Sequence, residues 1–140
     1  MIKIAVVAHG NLAKSLVDAA ELIVGSQENL YAISNGKNGS LEYLQDKIKN
    51  FLSDVIDKDG ILILTDMMGG SPNNASCKML DTFNVEIISG VNLPMLLSAI
   101  FASKNAENIL QLSQKVFTES KKSIINVRKI LFEKNMLSRE

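Results

Sequence analysis

The segment ILILTDMMGGSP, residues 61–72, decides how this chain folds. Its first five residues, Ile61 to Thr65, are an apolar run with no alternation of polar positions, the pattern of a strand buried on both faces. Gly69 and Gly70 then break the run. Ser71 is a suitable helix N-cap, and Pro72 fits the first helical position, where a missing N–H has no intrahelical partner to lose. A strand that passes through a glycine turn straight into a helix is the repeating unit of a parallel α/β sheet.

Outward from this segment the same alternation recurs. Short apolar, β-branched runs at residues 2–8, 29–33 and 85–89 read as further strands, and the first of these is also apolar on both faces. Helical spacing separates them: Leu12, Leu16, Ala19, Ala20 and Ile23, then Leu41, Leu44, Ile48, Phe51, Leu52 and Val55. The helix opened at Ser71 is expected to reach about Thr82, followed after the fourth strand by helices over residues 93–103 and 108–122, the latter with Ile109, Leu112 and Val116 on its apolar face. Strands buried on both faces and joined by helices require crossovers that place helices on each side of the sheet. The expected fold is α/β, a single-domain, doubly wound, mostly parallel sheet flanked by helices. Residues 1–134 form the domain and residues 135–140 a frayed tail.

Composition bounds the function. With 15 Lys and Arg against 15 Asp and Glu in 140 residues, the chain has no net field to hold nucleic acid or an anionic membrane. A single cysteine, Cys77, excludes an internal disulfide and a cysteine-based zinc site, fits a reducing compartment, and reads as a packing residue in an apolar helical stretch. The apolar run in MIKIAVVAHG is too short for a signal peptide or membrane span, so a soluble cytoplasmic protein is expected.

Parallel α/β sheets meet their ligands at the carboxyl ends of the strands. There the first strand ends in Ala-His-Gly-Asn, residues 8–11, with the only histidine of the chain, and the third ends in Asp66. In a common doubly wound order these strands are neighbours, and His9 and Asp66 then face one another across one crevice. A carboxylate that accepts one ring N–H fixes the imidazole tautomer and leaves the other nitrogen free to attack phosphorus. Gly10, Gly69 and Gly70 allow close backbone approach, and Ser71 with the N–H groups of the helix start would hold a phosphoryl group on His9. Each feature alone has an ordinary structural reading: a lone histidine after a strand, a capping aspartate, a turn entering a helix. Their convergence at neighbouring strand ends is what points to chemistry. Met67 and Met68 read as an apolar wall or a soft docking surface.

Three motifs, AHGNLAKSLVDAAELIVG at residues 8–25, TDMMGGSPNNAS at 65–76 and GVNLPML at 90–96, resemble the IIA proteins of the mannose-family sugar phosphotransferase system in order and spacing. The resemblance implies that His9 accepts phosphoryl from the carrier HPr and donates it to the IIB component, with Asp66 as its partner. No cofactor or metal is implied, and the membrane is met only indirectly through the IIC/IID transporter. A homodimer is implied as well, its last, antiparallel strand exchanged between subunits, with residues 123–127 as the candidate strand. On the residues alone, the last helix could instead continue to about Glu133. Two departures stand out: Met68 replaces an aromatic residue common in the family, and SNGKNGS, residues 34–40, lacks the usual acidic character. Three other functions compete: the phosphotransfer subunit that serves dihydroxyacetone kinase; a serine hydrolase with Ser71 as nucleophile, His9 as base and Asp66 as orienting acid; and a non-catalytic signalling module whose phosphorylation state is read by another protein. Against the hydrolase, Ser71 lacks a Gly-x-Ser-x-Gly elbow.

Overall fold

The computed structural model describes residues 1–37 and 39–135. Four parallel strands, β1 (Lys3–His9), β2 (Leu30–Asn35), β3 (Ile61–Thr65) and β4 (Val85–Ser89), form one sheet in the order β2-β1-β3-β4. All three pairings are parallel, with Val7 of β1 opposite Thr65 of β3 and His9 opposite Asn35 of β2. The expected doubly wound α/β fold is therefore present, and β1 and β3 are the neighbours that the site requires.

Alternation along the strands divides the core into two layers. Ile4, Val6, Ala8, Leu62 and Leu64 face α1 (Leu12–Val24), α4 (Leu93–Ser103) and α5 (Ile109–Lys121). Ala5, Val7, Ile61 and Ile63 face α2 (Leu41–Val55) and α3 (Ser71–Cys77). In α2 the contact is made by Leu44, Ile48 and Leu52, four residues apart and fully buried, each worth about 1.5–3 kcal/mol of burial. Ser40 starts α2 by accepting the Tyr43 N–H at 3.0 Å.

Several expectations are corrected. Strand β2 runs from Leu30 to Asn35 rather than over residues 29–33; the buried Asn29 amide instead donates to the Ile2 carbonyl and the Ser103 hydroxyl, tying β1 to the end of α4. Gly70, not Ser71, is the N-cap of α3, so Ser71 is its first helical residue and Pro72 its second. Helix α3 stops at Cys77 rather than near Thr82: from Ser76 onward the chain closes in i→i+3 turns, with Met79 N–H on the Ser76 carbonyl and Leu80 N–H on that of Cys77. Tightening in this way drops Met79 into the core ahead of β4 and leaves Cys77 exposed rather than packed. At the C-terminal end a continuous helix to Glu133 is not formed. Ser123 ends α5 by bonding back to the Ser120 carbonyl, and Asn126 caps a separate helix, α6 (Val127–Glu133), through the Lys129 N–H. In the single chain the segment between them is neither helix nor strand. The strand exchange expected of residues 123–127 requires a second chain and is not seen in one. Of the expected tail, Asn135 lies in a turn after α6, and residues 136–140 lie outside the described residues.

Candidate functional site

Strand register assembles the site. The β1–β3 ladder ends at Val7 opposite Thr65, which leaves the next residues, Ala8 and His9 on one strand and Asp66 on the other, beyond the last shared rung. There the side chain of Asp66 takes over from the backbone. Its Oδ2 accepts the His9 backbone N–H at 2.9 Å and the His9 ring at Nδ1, 2.6 Å away, while its Oδ1 accepts the Met67 N–H at 3.0 Å. Since the carboxylate only accepts, Nδ1 carries the proton, and the neutral ring presents an unprotonated Nε2.

Exposure differs across the pair. The Asp66 side chain is 11% exposed and that of His9 49%, so the carboxylate is enclosed while the ring meets solvent. Burial alone pushes the Asp66 carboxyl up, but hydrogen bonds from the His9 backbone N–H, the His9 ring and the Met67 N–H, with the attraction of the ring whenever it is protonated, outweigh it and hold the group below its ordinary value. Asp66 is thus a fixed anion beneath a ring that becomes cationic when Nε2 is alkylated or phosphorylated.

Gly70 sets the clearance over the ring. A Cβ at this position would lie 2.9 Å from His9 Cε1, closer than a methyl group can sit, and 3.2 Å from Met67 Cγ, which would have to give way. Gly69, at φ +87, takes the left-handed backbone that turns the loop back toward α3. Ser71 is the first residue of the helix, and among the described residues its hydroxyl makes no hydrogen bond; Pro72 brings no N–H, and those of Ser71 and Asn73 have no helical carbonyl four residues back to bond. Gly10, expected to approach a phosphoryl group, has another duty. Its N–H is taken by the Asn35 carbonyl at 2.9 Å, and its φ of +55 makes the turn from β1 into α1. Asn35 was not legible as a site residue, since an asparagine ending a strand is common to many turns.

His9, Asp66 and Gly70 are therefore brought together, and Gly69 and Ser71 flank Gly70 on the same loop. The hydrolase arrangement is incomplete: the His9–Asp66 half is present, as either reading requires, but among the described residues no hydrogen bond joins the His9 ring to the Ser71 hydroxyl. Met67 and Met68, 58% and 82% exposed, stand on the loop beside the ring, and Leu12, at the start of α1, is 42% exposed. No helix among the described residues is long and apolar enough to cross a membrane.

Comparison with known proteins adds a family. The family model described as PTS system fructose IIA component matches residues 3–117. The chain is 31% identical over 101 residues to the fructose-specific EIIA component of Bacillus subtilis, covering 71% of this chain and 69% of that protein. It is 36% identical over 102 residues to the mannose-specific EIIAB component of Escherichia coli, covering 72% of this chain but only 32% of that longer protein. The crystal structure of the phosphotransferase system component EIIA from Streptococcus agalactiae superposes with a TM-score of 0.82 at 34% identity, over 92% of this chain and 99% of that one.

Proposed function

Because the chain belongs to the mannose-type EIIA family of the sugar phosphotransferase system, we propose that it is a cytoplasmic phosphoryl carrier whose domain spans residues 1–134 and whose acceptor atom is Nε2 of His9. Phospho-HPr is the donor and the IIB component the acceptor. In the forward step the Nε2 lone pair attacks phosphorus, the P–N bond to the HPr imidazole breaks, and that imidazole leaves with the bonding electron pair. The Nδ1 proton stays on His9, so the ring becomes a phosphorylated cation against the Asp66 carboxylate. The second step repeats the displacement with a IIB side chain as nucleophile and returns His9 to its neutral state.

One observation carries this reading: the 2.6 Å contact from Nδ1 to Asp66 beneath a half-exposed ring. It selects the nucleophilic nitrogen, stabilises the charge that phosphorylation creates, and leaves Nε2 open to a macromolecular donor. Gly69, Ser71 and the free N–H groups at the start of α3 would meet the phosphoryl oxygens, while Gly70, whose N–H bonds the Met67 carbonyl at 3.3 Å, supplies clearance, and Gly10 shapes the turn without donating. The exposed Met67 and Met68 offer a soft apolar rim to successive protein partners. The dihydroxyacetone kinase and hydrolase alternatives are not favoured.

The dimer is part of the same proposal. Strand β4 is an edge of the sheet, and Ile124, Ile125 and Val127 are 84%, 53% and 63% exposed in the single chain. Exchange of residues 123–127 onto the β4 edge of a partner would cover both. Incubation with phosphoenolpyruvate, enzyme I and HPr tests the function. Stoichiometric, acid-labile and alkali-stable phosphate on the wild type and none on His9→Ala is expected. Labelling of the variant would overturn it.

A further inference from the structure

Two buried polar residues at the base of the Asp66 loop have no part in the chemistry described above. Thr65, the last residue of β3, is fully buried, and Asn73, the third residue of α3, is 5% exposed. A polar side chain in either place is costly unless it is bonded. They bond each other: the Thr65 hydroxyl donates to Asn73 Oδ1 at 3.0 Å. Residues 66–72, which carry every group of the loop side of the site, form the span that this bond closes.

Thr65 is anchored on its other side as well. Its carbonyl accepts N–H groups from both Gly90 and Val91, each at 2.9 Å, which ties the end of β3 to the turn that follows β4. Asp66 is the next residue, and its carboxylate must meet the His9 ring at 2.6 Å. Gly70 is held from the other end, through the Asn74 N–H on its carbonyl at 2.9 Å, and has clearance over the ring only as long as α3 keeps its place.

We propose that Thr65 and Asn73 are positioning residues: their buried hydrogen bond fixes α3 against the end of β3 and so holds the Asp66 carboxylate and the Gly70 backbone at their working distances from His9. The bearing on transfer rests on the phosphoryl-carrier reading; the bearing on ring geometry does not. Misplacement of reacting groups by about 1 Å can cost on the order of 100-fold in rate, so loss of this bond is expected to slow phosphorylation of His9 by roughly tenfold or more.

The test compares wild type, Thr65→Val and Thr65→Ser by two readouts. One is the nitrogen-15 NMR signature of the His9 ring at neutral pH, which reports the Nδ1–H tautomer; the other is single-turnover transfer from phospho-HPr. Thr65→Val is expected to weaken the Nδ1–H signature and slow transfer, and Thr65→Ser, which keeps the donor, to restore both. A Val variant with wild-type ring signature and rate overturns the proposal, as does a folded Ser variant that restores neither. Should Thr65→Val fail to fold, Asn73→Ala removes the same bond from the helix side and is judged by the same readouts; failure of both to fold would make the pair a stability element only, which also overturns the positioning role. A wild type that takes no phosphoryl group would sink the carrier reading, while the ring signature would still decide between positioning and its absence.

Discussion

At the scale of single residues, the behaviour of the site follows from which atom holds which proton. Asp66→Asn keeps the shape of the side chain but loses the charge, and its amide can turn a donor toward Nδ1 and favour the wrong tautomer. Transfer from phospho-HPr is expected to fall roughly 100-fold, the scale of removing one group that stabilises developing charge, with little change in the circular dichroism spectrum. The same residue gives a pH signature. Its folded pKa lies below the ordinary carboxylate value of 3.8, so the stability it contributes is fully present above that value and is lost as the pH falls through the lower, folded one. Melting temperatures of wild type and Asp66→Asn are therefore expected to converge as the pH is taken below 3.8; a gap that stays constant into acid would show that Asp66 titrates no differently in the folded protein. Gly70→Ala is a steric counterpart. Its backbone φ of −78 accepts an L residue without strain, but the new methyl group lies 2.9 Å from His9 Cε1. The variant is expected to fold normally and to lose at least roughly tenfold in transfer rate, because the ring must swing off Asp66 to clear it. A rate equal to wild type would show that the glycine is there for the turn alone. His9, Asp66 and the Gly-Gly turn were legible in the sequence because their chemistry is local to strand ends. The duty of Gly10 was not, since its N–H is consumed by Asn35, a residue of another strand whose position only the β1–β2 register reveals.

At the scale of elements, periodicity was sufficient wherever an element buries a regular face. Helix α2 is the clearest case: Leu44, Ile48 and Leu52 repeat at i+4 and are wholly enclosed. Ile48→Ala is expected to cost about 2–5 kcal/mol, read from denaturant unfolding, while His9 in the surviving folded fraction retains its chemistry. Elements that end without a break in the apolar pattern were misread. The apolar positions Met79 and Phe83 continue the pattern of α3, but tight i→i+3 bonds carry that part of the chain after Cys77, and periodicity does not distinguish a helix from successive turns of similar pitch. In the same way Ser123 and Asn126 split the C-terminal segment into α5 and α6, although Lys129, Leu131 and Glu133 are good helix formers. An asparagine followed three residues later by a backbone donor is a capping signal; here it stood inside a β-branched run, Ile124 to Val127, that favoured a strand.

At the scale of the whole molecule, the sheet order explains why one histidine suffices. The chain leaves β1 toward β2 on one side and returns to β3 on the other, so the loops after β1 and β3 diverge from a shared crevice and meet there without obstruction by a crossover. Strand β4 leaves one edge of the sheet unpaired, and Ile124, Ile125 and Val127 are among the exposed apolar side chains. Truncation after Lys122 is expected to give an aggregating or unfolded chain, because an unpaired edge loses its cover; a soluble monodisperse monomer that still accepts phosphate on His9 would rule the exchanged strand out. The central claim is narrower and concerns the ring. Phosphorylate the wild-type protein through enzyme I and HPr, then determine by phosphorus-31 and nitrogen-15 NMR at alkaline pH which imidazole nitrogen carries phosphorus. The proton that Asp66 holds on Nδ1 requires phosphate on Nε2 of His9; phosphate on Nδ1, or on any other residue, would contradict the account.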